Sequence, residues 1–405
     1  MKALFSLLFL TSFLFASDAL NYVNNWRINS GLQPFKIDNT LSKAALNHSK
    51  YNALNPYSGH YETPRGRYFT GKMPRERVRY VKHPSSIVAE NVSMTQTELQ
   101  GVEGLMSAIY HRFGFLHFEF DEIGMGKALR KDSVVLTFLM GNSFLSRTCQ
   151  KDRYNDANYY YLDLCLDPEK KVSATTYEKN KKQVSSKAPN FVIYPYPNAK
   201  EVPPVFYEEQ PDPLPRYSMV GNPFSIEFHP KFKEGTSFRL KTSLQNLQTK
   251  QYVALIPFSK KSDPNKKLTN TQFAFFPKNR LDWGQKYRAR IEIKSNRKEL
   301  TQNIQWSFTT KKQPNILLVT SKITSFSIKP NIIYTLYYQN GHREAKAKKG
   351  QLPAFRTSYK QGSKIQAKII DNMTYQFSVK GQRGNTFKVF NNSLKDLPKV
   401  TLILK

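Results

Sequence analysis

The sequence predicts an α+β chain in which a mixed helix and strand unit is followed by β-sandwich domains. Three observations predict it. Apolar residues recur at helical spacing in three segments before Gly114. After Phe191 they fall into short runs punctuated by Pro, Asn and Gly, the pattern of an all-β region. The 405 residues exceed what one core organises, at about 100 to 200 residues per domain. Apolar content of 39%, with 28 Phe and 23 Tyr, excludes a disordered chain.

Met1 and Lys2 open a basic start, and Ala3 to Phe15 is apolar apart from Ser6, Thr11 and Ser12. Ala16 and Ser17 then offer a small-residue exit, so residues 1–17 read as a cleavable secretory signal peptide. No later run is apolar for the ~20 residues a membrane span needs, so no transmembrane span is expected in the mature chain. The expected destination is secreted, periplasmic or cell surface.

The mixed unit is assigned to residues 18–150. Leu20, Val23 and Trp26 make the first helical stripe, which stops at Gly31. Leu41, Ala44, Ala45, His48 and Tyr51 make the second. The third is a single helix started by a capping box at Thr95 and Glu98, with Val102, Leu105, Met106, Ile109 and Phe113 on its buried face. Ile123 to Leu129 and Val134 to Met140 then read as a hairpin.

Cys149 and Cys165 are the only cysteines. In an oxidising compartment such a pair most simply forms one disulfide, and closing a loop of that size is worth about 3 kcal/mol in the chain-entropy treatment. Residues 151–190 hold this loop and a Lys- and Ser-rich stretch expected to be a linker. Residues 191–312 are assigned to a β-sandwich, with strands expected at Phe224–Phe228, Ser237–Leu240, Tyr252–Ile256, Phe273–Phe276, Tyr287–Ile293 and Gln305–Thr309. Residues 313–405 are assigned to a C-terminal β-domain, including Ile332–Tyr338, Lys364–Ile370, Thr374–Val379 and Val400–Leu404.

The net charge is +32. Between Asp18 and Gln150 stand 16 basic and 11 acidic residues; Lys2 accounts for one further charge, and +26 falls after Gln150. That excess favours an anionic envelope polymer or lipid as partner. Nucleic acid has only the charge to support it and is not the expected partner. Glycine-rich phosphate loops, HExxH, G-x-S-x-G and CxxC pairs are missing, so the familiar catalytic signatures are excluded. The candidate ionisable residues are His60 in YSGHYE, Glu90 in AENVS and His111 in AIYHRFGFL, types that can share a proton or hold a divalent metal. A basic run from Arg65 to Lys82, interleaved with Tyr68, Phe69 and Tyr80, reads as a solvated rim or a contact for phosphate or lipid headgroups.

Taken in order, NWRINSGL, ALNHSKYNA, SGH, FTGKMPRERVRY, AEN, AIYHR and DEIGMG resemble the bacterial, exported branch of CAP domains, those of cysteine-rich secretory proteins, antigen 5 and pathogenesis-related 1 proteins. The resemblance implies an α-β-α sandwich with an open cavity lined by two His and two acids. His60 and His111 match the cavity histidines and Glu90 the first acid. The second acid falls near Ala108, where there is no carboxylate, with Glu103 a candidate substitute; Tyr110 replaces a small residue beside His111. Residues 191–312 resemble bacterial Ig-like domains through FFPKNRLDWGQKYRARIEI and WSFTT. The expected function is a non-enzymatic ligand- or surface-binding protein whose cavity takes a small apolar ligand or lipid. The alternative is a metal-dependent hydrolase, with a divalent metal such as zinc on His60 and His111 and Glu90 as base.

Overall fold

The structure is a computed structural model that describes residues 7–151, 159–217, 219–339, 355–359, 361–371, 373–391 and 397–405, with side chains from Asp18 onward. The N-terminal unit is an α-β-α sandwich. Its sheet has the order β1-β3-β4-β2, from Lys36–Ile37 (β1), Ala89–Thr95 (β2), Glu122–Arg130 (β3) and Ser133–Gly141 (β4). The expected hairpin is β3–β4, which pairs Glu122 with Gly141 at one end and Arg130 with Ser133 at the other.

Strand period places the helices. On β4, Leu136, Phe138 and Met140 face α1 (Leu7–Asn29) and α4 (Glu98–Ser107), in one core with Val23, Trp26, Val102 and Met106. Leu139 faces α2 (Asn39–Leu54) and α3 (Pro74–Tyr80), with Leu41, Ala44, Ala45 and Val78. A strand buried on both faces must read as a continuous apolar run, as VVLTFLM does. Helix α2 lies so close to β3 that a Cβ on Gly124 would stand 2.1 Å from Leu41 backbone, and one on Gly126 2.2 Å from Ala45 backbone.

The third stripe differs from its expectation in two ways. Its N-cap is Thr97, whose side chain accepts from Gln100 N–H, and the helix breaks at extended Ala108 before resuming as α5 (Ile109–Phe115). The stretch expected to be a linker also folds. After α6 (Ser143–Gln150), the Cys149–Cys165 disulfide forms, Ser173 caps α7 (Ala174–Lys181), and Val184 and Ser185 are buried. Asn142 ties this stretch back by donating to the Lys181 carbonyl at 3.1 Å.

Seven strands then build a sandwich. A four-stranded sheet joins Leu255–Ser259, Gln272–Pro277, Phe224–Phe228 and Phe191–Tyr194 in that order, and a three-stranded sheet joins Phe238–Asn246, Lys286–Ser295 and Gln302–Thr309. Beyond it two four-stranded sheets face a separate core of Leu336, Phe377, Val389 and Leu402. The first sandwich shares one core with the N-terminal unit, since the Trp26 ring packs at a tilt against Tyr194 with ring centroids 4.7 Å apart, in one core with Phe224 and Ile226.

Arg112 of α5 ties these two units together. Fully buried, it donates to the carbonyls of Met106 (2.7 Å), Ser107 (3.0 Å) and Pro223 (2.7 Å), and lies over the Tyr194 ring at 3.7 Å. Burial pushes the guanidinium down to about 10, still charged at neutral pH. Replacing Arg112 with Met keeps bulk but leaves buried carbonyls without donors, at about 1–3 kcal/mol each. Urea unfolding of the full chain, followed by Trp fluorescence, is expected to show a loss of about 3 kcal/mol or more. Arg112→Lys should recover only part of it, because an ammonium cannot reproduce the five-donor fork. Unchanged stability in Arg112→Met would contradict the assignment.

Candidate functional site

The site is assembled by local turns and one edge strand. Gly59, at φ +65°, makes the turn that presents His60, a conformation that any residue with a Cβ resists. Strand β2 places Glu90 beside it, and His60 Nδ1 donates to Glu90 Oε1 at 3.0 Å. His111 sits in the first turn of α5, and its ring stacks on that of His60 with centroids 6.1 Å apart. The structure thus brings His60, Glu90 and His111 together.

It does not bring Glu103 there. Glu103 lies on α4, paired with Lys311 at 3.1 Å. The carboxylate beside His111 is instead Glu209, from the connection between the first two strands of the sandwich, Phe191–Tyr194 and Phe224–Phe228. Glu209 Oε2 accepts from His111 Nδ1 at 2.8 Å, Oε1 accepts from Ile109 N–H at 2.6 Å, and Oε2 accepts from Tyr110 N–H at 3.1 Å. A buried carboxylate is therefore satisfied by the unpaired N–H groups at the start of α5, where the helix dipole also favours it. The break at Ala108 is what exposes those groups.

Sequence reasoning also missed Arg77. Rather than standing in a solvated rim, Arg77 is fully buried and donates through Nη2 to both oxygens of Glu90, at 2.8 and 2.7 Å. Burial alone would raise the Glu90 carboxyl; Arg77 and the hydrogen bond from His60 outweigh it, and the group sits below the ordinary carboxylate range. Behind it, His48 Nδ1 bonds Glu62 at 2.9 Å and its Nε2 meets the Gly59 carbonyl, so this buried His braces the turn that carries His60. Nearby basic residues are structural too: Arg75 and Arg79 both pair with Asp163 at 2.6 Å. A hint of Arg77 was present in the spacing of PRERVRY, where Arg77 and Val78 share the buried side of α3.

Each of the two imidazoles therefore gives its Nδ1 to a carboxylate, and no hydrogen bond engages the Nε2 of either ring among the described residues. A metal-ligating His ordinarily has this support, a carboxylate behind and Nε2 forward. The donor set fits two imidazole ligands, His60 and His111, with Glu90 and Glu209 orienting them. It does not fit Glu90 as a third ligand: among the described residues, the three-residue group whose ligand atoms lie within 4.8 Å of one another is elsewhere, at Asp38, His83 and Glu122.

A family model covers this same unit. Residues 20–141 match the model of the cysteine-rich secretory protein family, CAP. No curated protein matches the chain. Among solved structures, an outer surface protein from Borrelia burgdorferi is similar at 17% identity over 31% of this chain and 91% of its own, with a TM-score of 0.28. An extracellular protein containing a SCP domain from Bacillus anthracis is similar at 19% identity over 31% of this chain and 40% of its own, with a TM-score of 0.26. Zebrafish RET cadherin-like domains are similar at 12% identity over 46% of each chain, with a TM-score of 0.18. The chain thus spans less than half the length of the last two. At residues 20–141 this protein carries a CAP domain of the cysteine-rich secretory protein family.

Proposed function

We propose that this is an exported binding protein of the cell envelope or extracellular space, whose CAP cavity holds a small ligand while its β-domains attach to an anionic polymer or lipid. The observation that supports binding over hydrolysis is the saturation of the cavity carboxylates. A general base needs a pKa near the working pH and a free oxygen. Glu90 has Arg77 on both oxygens and is held low, and Glu209 is filled by His111 and two backbone N–H groups. What stays available is the Nε2 of two stacked imidazoles, groups suited to a polar head on an otherwise apolar ligand. A cation held there would supply Lewis-acid character to a bound carbonyl or phosphoryl oxygen.

Attachment is supported by one face of the first sandwich. Lys286, Arg288 and Arg290 are exposed on the central strand of the three-stranded sheet, alternating with buried Tyr287, Ala289 and Ile291. Exposed Arg239 and Lys241 on the neighbouring strand pair in register with Lys294 and Glu292. A row of cations interrupted by one carboxylate, Glu292, suits an anionic polymer.

Three outcomes test this. Organic extraction of the exported protein should yield a co-purifying small molecule, retained about tenfold less by the chain carrying His60→Ala and His111→Ala; hydrolytic turnover lost in Glu90→Gln would replace binding with the hydrolase. The Arg239→Gln, Arg288→Gln, Arg290→Gln variant should lose retention on whole envelopes at low salt, and wild-type retention should itself fall as salt shortens the Debye length from about 10 Å. Retention unchanged by the triple substitution rules out this face. Finally, a carboxyl with a folded pKa below its unfolded value contributes stability that is complete above that value, about 4.3, and is lost as pH falls through the lower folded one. The stability gap between wild type and Glu90→Gln should be full at neutral pH and narrow below about pH 4, read from denaturant midpoints.

A further inference from the structure

A second cluster of ligating side chains lies outside the cavity. Asp38 is the N-cap of α2, His83 follows α3, and Glu122 opens β3, and each brings a ligand atom within 4.8 Å of the other two. His83 is 1% exposed and Glu122 8%. His83 Nδ1 lies 2.7 Å from the Ser85 carbonyl, which can only accept, so Nδ1 carries a proton, and in the neutral form of the ring Nε2 presents its lone pair. That Nε2 is buried and has no hydrogen-bond partner; Glu122 Oε1 stands 3.6 Å away, beyond hydrogen-bond reach. An unpaired buried nitrogen is costly and asks for an explanation.

The oxygens around it are already aimed. Glu122 Oε1 accepts from Ser146 Oγ at 2.7 Å, and Asp38 Oδ1 accepts from Leu41 N–H at 2.7 Å, leaving each carboxylate further lone pairs. Gly141, opposite Glu122 on β4, leaves space for the carboxylate: a Cβ there would stand 2.8 Å from Glu122 Oε1. We propose that Asp38, His83 and Glu122 bind a divalent transition-metal cation of the zinc class. One imidazole and two carboxylates are the mixed N,O donor set of zinc and its neighbours, whereas calcium and magnesium take oxygen alone. Three protein ligands leave a fourth position for water.

The cation would clamp a specific piece of the fold. Next to His83, Ser86 N–H bonds the Leu164 carbonyl and Leu166 N–H bonds the Pro84 carbonyl, both at 2.8 Å, so the disulfide strap around Cys165 hangs on this turn. Holding His83 to β3 and to the start of α2 fixes the strap against the sheet. The competing account is a protonated His83 paired with Glu122, which needs no metal.

The test uses the full chain carrying His60→Ala and His111→Ala, so that the cavity imidazoles cannot contribute. After dialysis against zinc, elemental analysis should find about one equivalent per chain, and adding His83→Gln should lower it by more than about tenfold. X-ray absorption on the zinc-loaded chain gives a readout that does not depend on the folding of His83→Gln. One imidazole with oxygen neighbours supports the site, and oxygen alone or two imidazoles overturns it. No retained zinc in the chain lacking His60 and His111, or equal zinc with and without His83, overturns the metal site and leaves the His83–Glu122 contact as the account of this cluster.

Discussion

The contact on which the rest of the structure depends is the Glu209 carboxylate at the start of α5. It accepts from two backbone N–H groups and from His111, so the helix end, the second imidazole and the connection between the first two sandwich strands are held by one side chain. Burying a carboxylate is unfavourable unless its lone pairs are met, and here the break at Ala108 supplies the donors. Helix and carboxylate require each other. The His–Glu site is therefore a joint product of the N-terminal unit and a segment nearly a hundred residues further along, and its second imidazole loses its partner if that segment is removed.

Buried cations follow the same logic with charges of the other sign, Arg112 at the joint between the N-terminal unit and the first sandwich and Arg27 inside the N-terminal unit. Arg112 and Arg27 are fully buried, and each is surrounded by carbonyl oxygens: Arg27 donates to Phe115 and Phe120 at 2.6 Å and to Gln33 at 2.7 Å, with the Phe35 ring 3.9 Å away. Burial pushes Arg27 down to about 9, so it stays cationic at neutral pH. Carbonyls ending helices and loops need donors, and a guanidinium offers five in a plane. At the far joint an ion pair takes over: Arg280 meets Asp371 at 3.0 Å between the rings of Trp283 and Tyr337. Burying such a pair costs desolvation, and removing either partner strands the other, so this joint tolerates change poorly.

What could be read from the sequence was what repeats locally. The β3–β4 hairpin, α2 and most sandwich strands announce themselves by period, and the family match confirms the N-terminal fold. The cap at Thr97 was missed because Thr95 and Thr97 are chemically equivalent candidates two residues apart, and only backbone geometry separates them. Glu209 had no local signal at all. Yet both departures from the family pattern point to it in retrospect. Ala108 lacks the acid that Glu209 supplies, and Tyr110, too large for its place in the pattern, bonds Asp263 and packs against Phe258 of the sandwich. A motif altered at two neighbouring positions is the mark of a surface that another part of the chain covers.

The distribution of charge carries a similar distinction. Lysines on edge strands keep sheets from pairing with other chains, and a basic β-protein can be explained that way without any partner. That account predicts cations at edges and has no use for them in the middle of a sheet. Arg288 and Arg290 stand on the central strand of the three-stranded sheet, whose backbone groups are already paired on both sides. Like charges two residues apart on one face repel; Glu292 offsets Lys241 and Lys294 further along the sheet, and Arg288 and Arg290 have no such neighbour across the strands. Arg288 and Arg290 face Gln245, Ser307, Ser243 and Gln305 across the sheet, no carboxylate among them, and edge protection does not account for that placement; it is the repulsion that the proposed anionic partner would relieve.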